Sequence, residues 1–200
     1  REPEALVWAD RSLVRGARFH EAIDLSKSLL TTKRWNETLT AEITSYLYRS
    51  YESIGDVMNA LIVANDSIKN PALGKDSESY KIKINELIDN KLTFAELSKV
   101  SQEERFGDYR GKAFLKMGEI SIDAKEFDEA RTYFGKTLSL SPTSDSGLRA
   151  KEYLSQLESL KRVESNTVGV VLPMSGKYAS ISQKTLRAIQ MGLGLYNNIP

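Results

Sequence analysis

The chain of 200 residues contains no cysteine and a single histidine. The absence of cysteine excludes disulfide bonds, thiolate metal sites and cysteine nucleophiles within these residues. His20 stands between Phe19 and Glu21 at the predicted start of a helix, and no second histidine exists to share a metal ion with it. We therefore expect no metal site and no catalysis by a histidine base.

Excess charge of one sign is also missing. Lysine and arginine number 28 against 27 aspartate and glutamate residues, which gives a net charge of +1. With no basic stripe and no interleaved aromatic residues, neither a nucleic acid nor an anionic membrane surface is expected as a partner. No run of about eighteen apolar residues is present, so no transmembrane helix is predicted.

The recurring short motifs of enzymes are absent as well. The sequence has no HExxH, no Walker loop and no GxGxxG, and its carboxylates are scattered over predicted helix surfaces. The hydrophobic fraction of 40% and the charged fraction of 28% are typical of a globular protein. We therefore expect a non-enzymatic protein, with no catalytic residue and no cofactor.

A helical repeat between Gly111 and Pro142 is the clearest feature that is present. Gly118 and Ala130 are small, which allows two antiparallel helices to cross closely, and large residues fill the space around the crossing. Residues 124–127 are predicted to form the turn, and Pro142 follows the second helix because proline cannot continue one. The marker residues are Phe114, Met117, Gly118, Phe127, Ala130, Phe134 and Pro142.

The same spacing recurs more weakly upstream. It predicts helices over 4–15 and 19–30 in a first copy, 38–53 and 56–69 in a second, and two helices between 75 and 100 in a degenerate third. Sequences of capping-box form begin at Thr93 and Ser101, so helix starts are predicted there. A last helix is predicted over 145–162. Tyr46, Tyr48, Tyr51, Trp8 and Trp35 are interpreted as packing residues.

This pattern resembles the tetratricopeptide (TPR) repeat, two antiparallel helices in about 34 residues. The resemblance implies a mainly α fold, a solenoid of antiparallel helical hairpins, over residues 1–163. It also implies that the first helix of each hairpin lines a concave surface that binds a protein partner. A solvated helix face is the alternative interpretation of these positions, which are Glu42, Ser45, Arg49, Glu52, Lys112, Leu115, Glu119 and Asp123.

Residues 164–200 differ in character. A β-branched run from Thr167 ends at Pro173, a Ser/Gly loop follows, and a helical pattern extends from Gln183 to Tyr196. This order predicts a β-loop-α unit, the first part of an α/β domain. Because one strand cannot cover both of its faces, we expect residues 168–172 alone to lack order or to pair with another chain.

The sequence of this tail resembles the start of type I periplasmic binding domains, which begin with a strand, then Pro-x-Ser/Thr-Gly-x-x-Ala, then a helix. The resemblance implies an α/β periplasmic-binding-protein fold whose first loop lines a ligand cleft. A strand-to-helix turn without ligand is the alternative. The implied ligand-binding residues are Ser175, Gly176, Tyr178, Ala179, Ser180 and Ser182.

A TPR-like module followed by such a domain resembles the penicillin-binding-protein activator lipoproteins of the bacterial envelope. That resemblance implies a periplasmic protein, anchored to the outer membrane by a lipid, that binds and activates a peptidoglycan synthase. Any signal peptide or lipid-bearing cysteine is expected upstream of Arg1. The alternative is a solute-binding receptor of an ABC-type uptake system with a helical extension and a small-molecule ligand. A plain TPR scaffold is a third hypothesis.

Overall fold

A computed structural model describes residues 2–32, 35–73, 76–161 and 169–194. Within these ranges the chain is helical and contains no strand. It divides into two compact units, Arg1–Leu157 and Glu158–Pro200. The α-helices are α1 (Glu2–Arg15), α2 (Phe19–Thr32), α3 (Glu37–Ser53), α4 (Val57–Ile68), α5 (Asp76–Asn90), α6 (Phe94–Gln102), α7 (Tyr109–Asp123), α8 (Phe127–Leu140), α9 (Asp145–Lys161) and α10 (Ala179–Gly192). Short 3₁₀ helices cover Pro71–Leu73, Glu104–Phe106 and Gly176–Tyr178.

In the first unit most helices pack against their neighbours in the chain. Contacts join α1 to α2, α3 to α4 and α7 to α8, and the second helix of a hairpin packs against the first helix of the next. In addition α1 packs beside α3, and α5 beside α7. The prediction of a mainly α solenoid of helical hairpins is therefore confirmed.

The turns inside the hairpins share one backbone hydrogen bond. The amides of Arg18, Asp56, Leu92 and Glu126 each donate to the carbonyl five residues earlier, at 2.8–3.0 Å. At three of the turns the residue before this amide has a positive φ, and the bond closes a Schellman motif, which ends a helix by satisfying its last carbonyl groups. These residues are Ala17, Gly55 and Lys125. The turn between α5 and α6 lacks the positive φ, so three of the four hairpins share their turn geometry.

The crossing of α7 and α8 follows the predicted pattern. A Cβ atom on Gly118 would lie 2.4 Å from Cε1 of Phe134, so only glycine allows this approach. Ala130 and Phe134 are both fully buried. The Phe134 ring also stacks on Tyr153 of α9, with ring centroids 4.8 Å apart, so the last helix of the unit packs on the same crossing.

The remaining core confirms most predicted packing residues. In α5 the side chains of Tyr80, Ile84, Leu87 and Ile88 are buried. Tyr48 and Tyr51 are buried in the same apolar cluster, and Tyr46 packs against a neighbouring one. Trp35 packs there as well and donates its indole hydrogen to the carbonyl of Leu29, at 2.7 Å.

Two predictions about single residues are wrong. Trp8 is 60% exposed, because its ring lies under the guanidinium of Arg11 at the surface and not in the core. Ser101 begins no helix: it lies inside α6, and its hydroxyl donates to the carbonyl of Ser98. Val100 beside it is buried, and α6 continues through Ser101 and ends at Gln102. The capping box predicted at Thr93 is present.

In the second unit the predicted strand is not supported. Residues 169–174 have no regular secondary structure, and Val171 is 99% exposed. A strand needs a neighbour for its backbone hydrogen bonds, and the described part of the chain offers none. Thr167, Val168 and the predicted domain boundary at 163/164 lie outside the described residues. The predicted helix is present but begins at Ala179, since the 3₁₀ turn before it leads directly into α10.

Candidate partner-binding grooves

A groove lies between α1 and α3, which run side by side in the same direction. We call it the N-terminal groove. Its wider part is a cavity of about 270 Å³ lined by Arg11, Val14, Arg15, Glu42, Tyr46 and Arg49. A smaller cavity of about 90 Å³ continues from it and is lined by Glu4, Val7, Trp8, Arg11, Leu39 and Glu42. The two cavities share Arg11 and Glu42, so they form one continuous groove.

The polar contacts of the N-terminal groove leave its arginines available. The Tyr46 hydroxyl donates to Oε1 of Glu42 at 2.9 Å. Burial, together with this hydrogen bond, raises the pKa of Tyr46 to about 12, so its hydroxyl keeps its proton. Arg11 lies 5.1 Å from the centre of the Trp8 ring. Among the described residues, Arg11, Arg15 and Arg49 make no ion pair with a carboxylate.

Two of the four residues predicted on α3 line this groove, namely Glu42 and Arg49. Ser45 and Glu52 are exposed elsewhere on the same helix. Arg11, Arg15 and Trp8 also line the groove, and none of the three was predicted to bind a partner. The repeat spacing could have found Arg11, because Arg11 precedes Arg49 by the same interval as Glu4 precedes Glu42.

A second groove lies between α5, α7 and the start of α9, and we call it the C-terminal groove. It is a cavity of about 460 Å³. Lys112 and Leu115, both predicted partner-binding residues, are part of its lining. The full lining is Asn85, Asp108, Tyr109, Lys112, Leu115, Ser144, Asp145, Ser146 and Arg149.

The cations of the C-terminal groove are engaged within the chain. The Lys112 ammonium donates to Asn85 and to Asp89, both at 2.8 Å, and so joins α7 to α5. Arg149 forms an ion pair with Glu119 at 2.7 Å, which joins α9 to α7. Leu115 is only 4% exposed, and its side chain belongs to the core between these helices.

The eighth predicted partner residue, Asp123, is exposed at the last position of α7. It does not line the C-terminal groove. Of the eight predicted residues, the structure therefore places two in each groove, one in an ion pair beside a groove, and three elsewhere on the exposed helix surface. Glu119 is the paired residue, and the last three are Ser45, Glu52 and Asp123.

A third cavity, of about 480 Å³, lies between α2, α3, α4 and the 3₁₀ helix that follows α4. Its apolar walls include Leu30, Trp35, Leu47 and Leu73. The sequence analysis did not predict it, because its walls come from helices of two hairpins and from a connection whose course no repeat pattern specifies.

The predicted ligand-binding residues of the tail lie along the 3₁₀ turn and the first turn of α10. Ser175, Gly176, Tyr178 and Ser180 are exposed, and Ala179 is partly buried. Ser182 is 3% exposed, inside α10. The strand that would place this loop beside a cleft is not formed in the described residues, and the assignment of a ligand to the loop stays a prediction.

The remaining observations concern metal binding, membrane spanning and similarity to known proteins. Over the described ranges, no group of three or more His, Asp or Glu side chains is placed to hold a metal ion. None of the helices described is both long and apolar enough to cross a membrane. No protein-family model, curated protein or solved structure matches this chain.

Proposed function

We propose that this chain is a non-enzymatic protein of the bacterial envelope whose TPR-like helical module binds a protein partner. The observation that carries the proposal is the N-terminal groove, where the first helices of two hairpins present three arginines and the exposed ring of Trp8. Arrays of helical hairpins bind peptides and proteins on such surfaces, because neighbouring repeats together supply one extended lining.

The proposed partner is a peptidoglycan synthase of the penicillin-binding-protein class, which the chain would activate. The order of the modules supports this: a TPR-like array comes first, followed by a tail that resembles the start of a type I periplasmic binding domain. The tail supplies the Pro173-Met-Ser-Gly176 sequence and a helix directly after it. In this proposal the protein works in the periplasm, attached to the outer membrane through a lipid upstream of Arg1.

Binding to a purified penicillin-binding protein of the same organism tests the proposal. Biolayer interferometry measures the affinity, and the rate of glycan polymerisation with and without the chain measures activation. We expect saturable binding and a faster reaction. Exchange of Arg49 for Glu should weaken both, whereas exchange of Lys151 for Glu, on the exposed face of α9 outside both grooves, should change neither. Absence of binding to every penicillin-binding protein of the organism would contradict the proposal.

The solute-receptor alternative makes a separate prediction for the same material. A small-molecule ligand of the loop from Ser175 to Ser182 would stabilise the protein and raise its Tm, because it binds only the folded state. A panel of amino acids and oligopeptides in a thermal-shift assay tests this. A rise in Tm that exchange of Ser175 and Tyr178 for Ala abolishes would favour the receptor.

A further inference from the structure

The wider part of the N-terminal groove concentrates positive charge that the neighbouring side chains do not balance. Arg11, Arg15 and Arg49 surround its wider cavity, whereas Glu42 is the only carboxylate in that lining. The whole chain is close to neutral, with a net charge of +1. The groove is therefore a local feature and not part of a generally basic surface.

The C-terminal groove provides an internal comparison. Its Lys112 and Arg149 are each held by a carboxylate of a neighbouring helix. Such pairs stabilise the contact between hairpins and leave little for a ligand. The three arginines of the N-terminal groove have no such carboxylate among the described residues, so their guanidinium groups can bind an anionic partner. A guanidinium binds a carboxylate with two parallel hydrogen bonds, which gives direction as well as affinity.

The other half of the N-terminal groove contains the exposed ring of Trp8. Trp8 is 60% exposed and lies beside Arg11, one to two helical turns before Arg15. A large exposed indole favours cover by an apolar side chain of a partner, since burial of aromatic surface dominates the energetics of interfaces. The groove thus offers one apolar site and, further along the same helices, a cluster of cations.

The geometry points to an acidic peptide segment of the partner as the ligand of this groove, with its carboxylates on Arg11, Arg15 and Arg49 and an apolar side chain over Trp8. The inference rests on the proposed function and names the chemistry of the partner. A polypeptide fits better than a nucleic acid, because Glu4 and Glu42 line the Trp8 half of the groove and would repel a continuous phosphate backbone.

Fluorescence anisotropy with a labelled decapeptide tests the inference. The probe has aspartate and glutamate in one half and a leucine among serine and glycine in the other, and its control has asparagine and glutamine in place of the acids. The full chain should bind the acidic probe at about 150 mM salt, where long-range attraction is screened. Exchange of Arg11, Arg15 and Arg49 for Glu should weaken binding by at least about tenfold.

A matched variant separates the groove from bulk charge. Exchange of Lys91, Lys99 and Lys151 for Glu makes the same change in net charge at exposed positions of the first unit outside the groove. This variant should bind the acidic probe within about twofold of the unchanged chain, because distant exposed charges are screened. The single exchange of Arg49 for Gln removes one cation without placing an acidic residue near a helix end. Far-UV circular dichroism checks that all variants fold.

Four results would overturn the inference: no binding of the acidic probe, equal binding of the amide probe, equal losses in both triple variants, or tighter binding of a single-stranded oligonucleotide of matched charge. The first result also separates this inference from the proposed function. If the chain still binds its penicillin-binding protein while the acidic probe fails, partner binding stands and the acidic-peptide chemistry is wrong. If neither binds, both are wrong.

Discussion

The ring of Phe134 occupies the space that a Cβ atom on Gly118 would need, with Cε1 of the ring 2.4 Å from the position of that atom. Behind this ring, Tyr153 stacks at 4.8 Å and limits its movement. The crossing of α7 and α8, and the packing of α9 on it, therefore depend on the absence of a side chain at Gly118. The repeat pattern in the sequence places a small residue at position 118, and the packing of α7 against α8 requires it.

We expect exchange of Gly118 for Ala to destabilise the protein by about 2 kcal/mol, because the ring cannot retreat and the helices must separate. Gly135 is a matched control in the neighbouring helix, since a Cβ atom there would meet nothing within 4 Å. Exchange of Gly135 for Ala should stabilise by about 0.5–1 kcal/mol through helix propensity. Urea denaturation measures both free energies of unfolding. Equal effects of the two exchanges would contradict this account of the crossing.

The repeated turns make a second prediction. Lys125 has a φ of 63°, a conformation that costs a residue with a side chain about 1 kcal/mol relative to glycine. Exchange of Lys125 for Gly should therefore raise the free energy of unfolding by roughly 0.5–1 kcal/mol. At the equivalent turn Gly55 has a φ of 77°, and exchange of Gly55 for Ala should lower it by a similar amount. Thermal and urea unfolding of the two variants check the opposite signs, and two changes of the same sign would contradict the shared turn geometry.

A buried carboxyl between α1 and α2 should make stability depend on pH. Asp10 is fully buried, and the hydroxyl of Ser26 donates to its Oδ2 at 2.6 Å. Burial raises the pKa of Asp10 from 3.8 to about 6, although the bond from Ser26 acts in the other direction. The folded state thus holds a proton more tightly than the unfolded state, so this group adds stability as pH falls from about 7 to about 4.

Exchange of Asp10 for Asn keeps an oxygen for Ser26 and removes the ionisation. At pH 7.5 we expect the variant to be more stable than the unchanged chain by up to about 3 kcal/mol, which corresponds to two pKa units. At pH 4 the two should be nearly equal. Urea titrations at both pH values measure the difference in free energy of unfolding between the two proteins. The other carboxylates titrate in both proteins, so their contribution cancels in this difference. A variant that is less stable at pH 7.5, or a gap that does not change with pH, would show that Asp10 is not a buried, strained acid.

The two tryptophans should differ in their effect on stability. Trp8 is 60% exposed, so its exchange for Ala should change the free energy of unfolding by no more than about 0.5 kcal/mol. Trp35 packs in the apolar cluster between α1, α2 and α3 and donates a hydrogen bond, so its exchange for Ala should cost about 3 kcal/mol. Denaturation followed by circular dichroism compares the two. A large loss at Trp8 would mean that its ring holds the fold and is not available to a partner.

The helical array could be predicted because its determinants are local and repeated. Three such determinants each act within a few residues and occur as predicted. They are the small residues at the α7–α8 crossing, Pro142 after α8 and the capping box at Thr93. The ends of α10 could not be placed as well, because Ser180 and Ser182 are as suitable before a helix as inside its first turns. The strand predicted before Pro173 depends on hydrogen bonds to partner strands, and a pattern of five residues does not show whether such partners are present.

The candidate site was predicted less well than the fold. The resemblance to TPR repeats predicts Glu42, Arg49, Lys112 and Leu115 on a concave surface that binds a partner. The four residues line the two grooves, and their binding of a partner stays a prediction. Whether a cation in a groove is free or paired depends on the helix opposite, however, and spacing along one helix does not contain that information. Lys112 and Arg49 appeared equivalent in the sequence, yet Asp89 engages the first and no described carboxylate engages the second.

We propose that the side of the array formed by the first helices of the hairpins binds a protein partner. Hydrogen–deuterium exchange of the full chain, alone and with its penicillin-binding protein, tests it most directly. The account predicts slower exchange on binding in α1 and α3, with α4 and α8 unchanged. Slower exchange confined to α4 and α8, or to α10, would contradict it, because the partner would then bind away from the N-terminal groove.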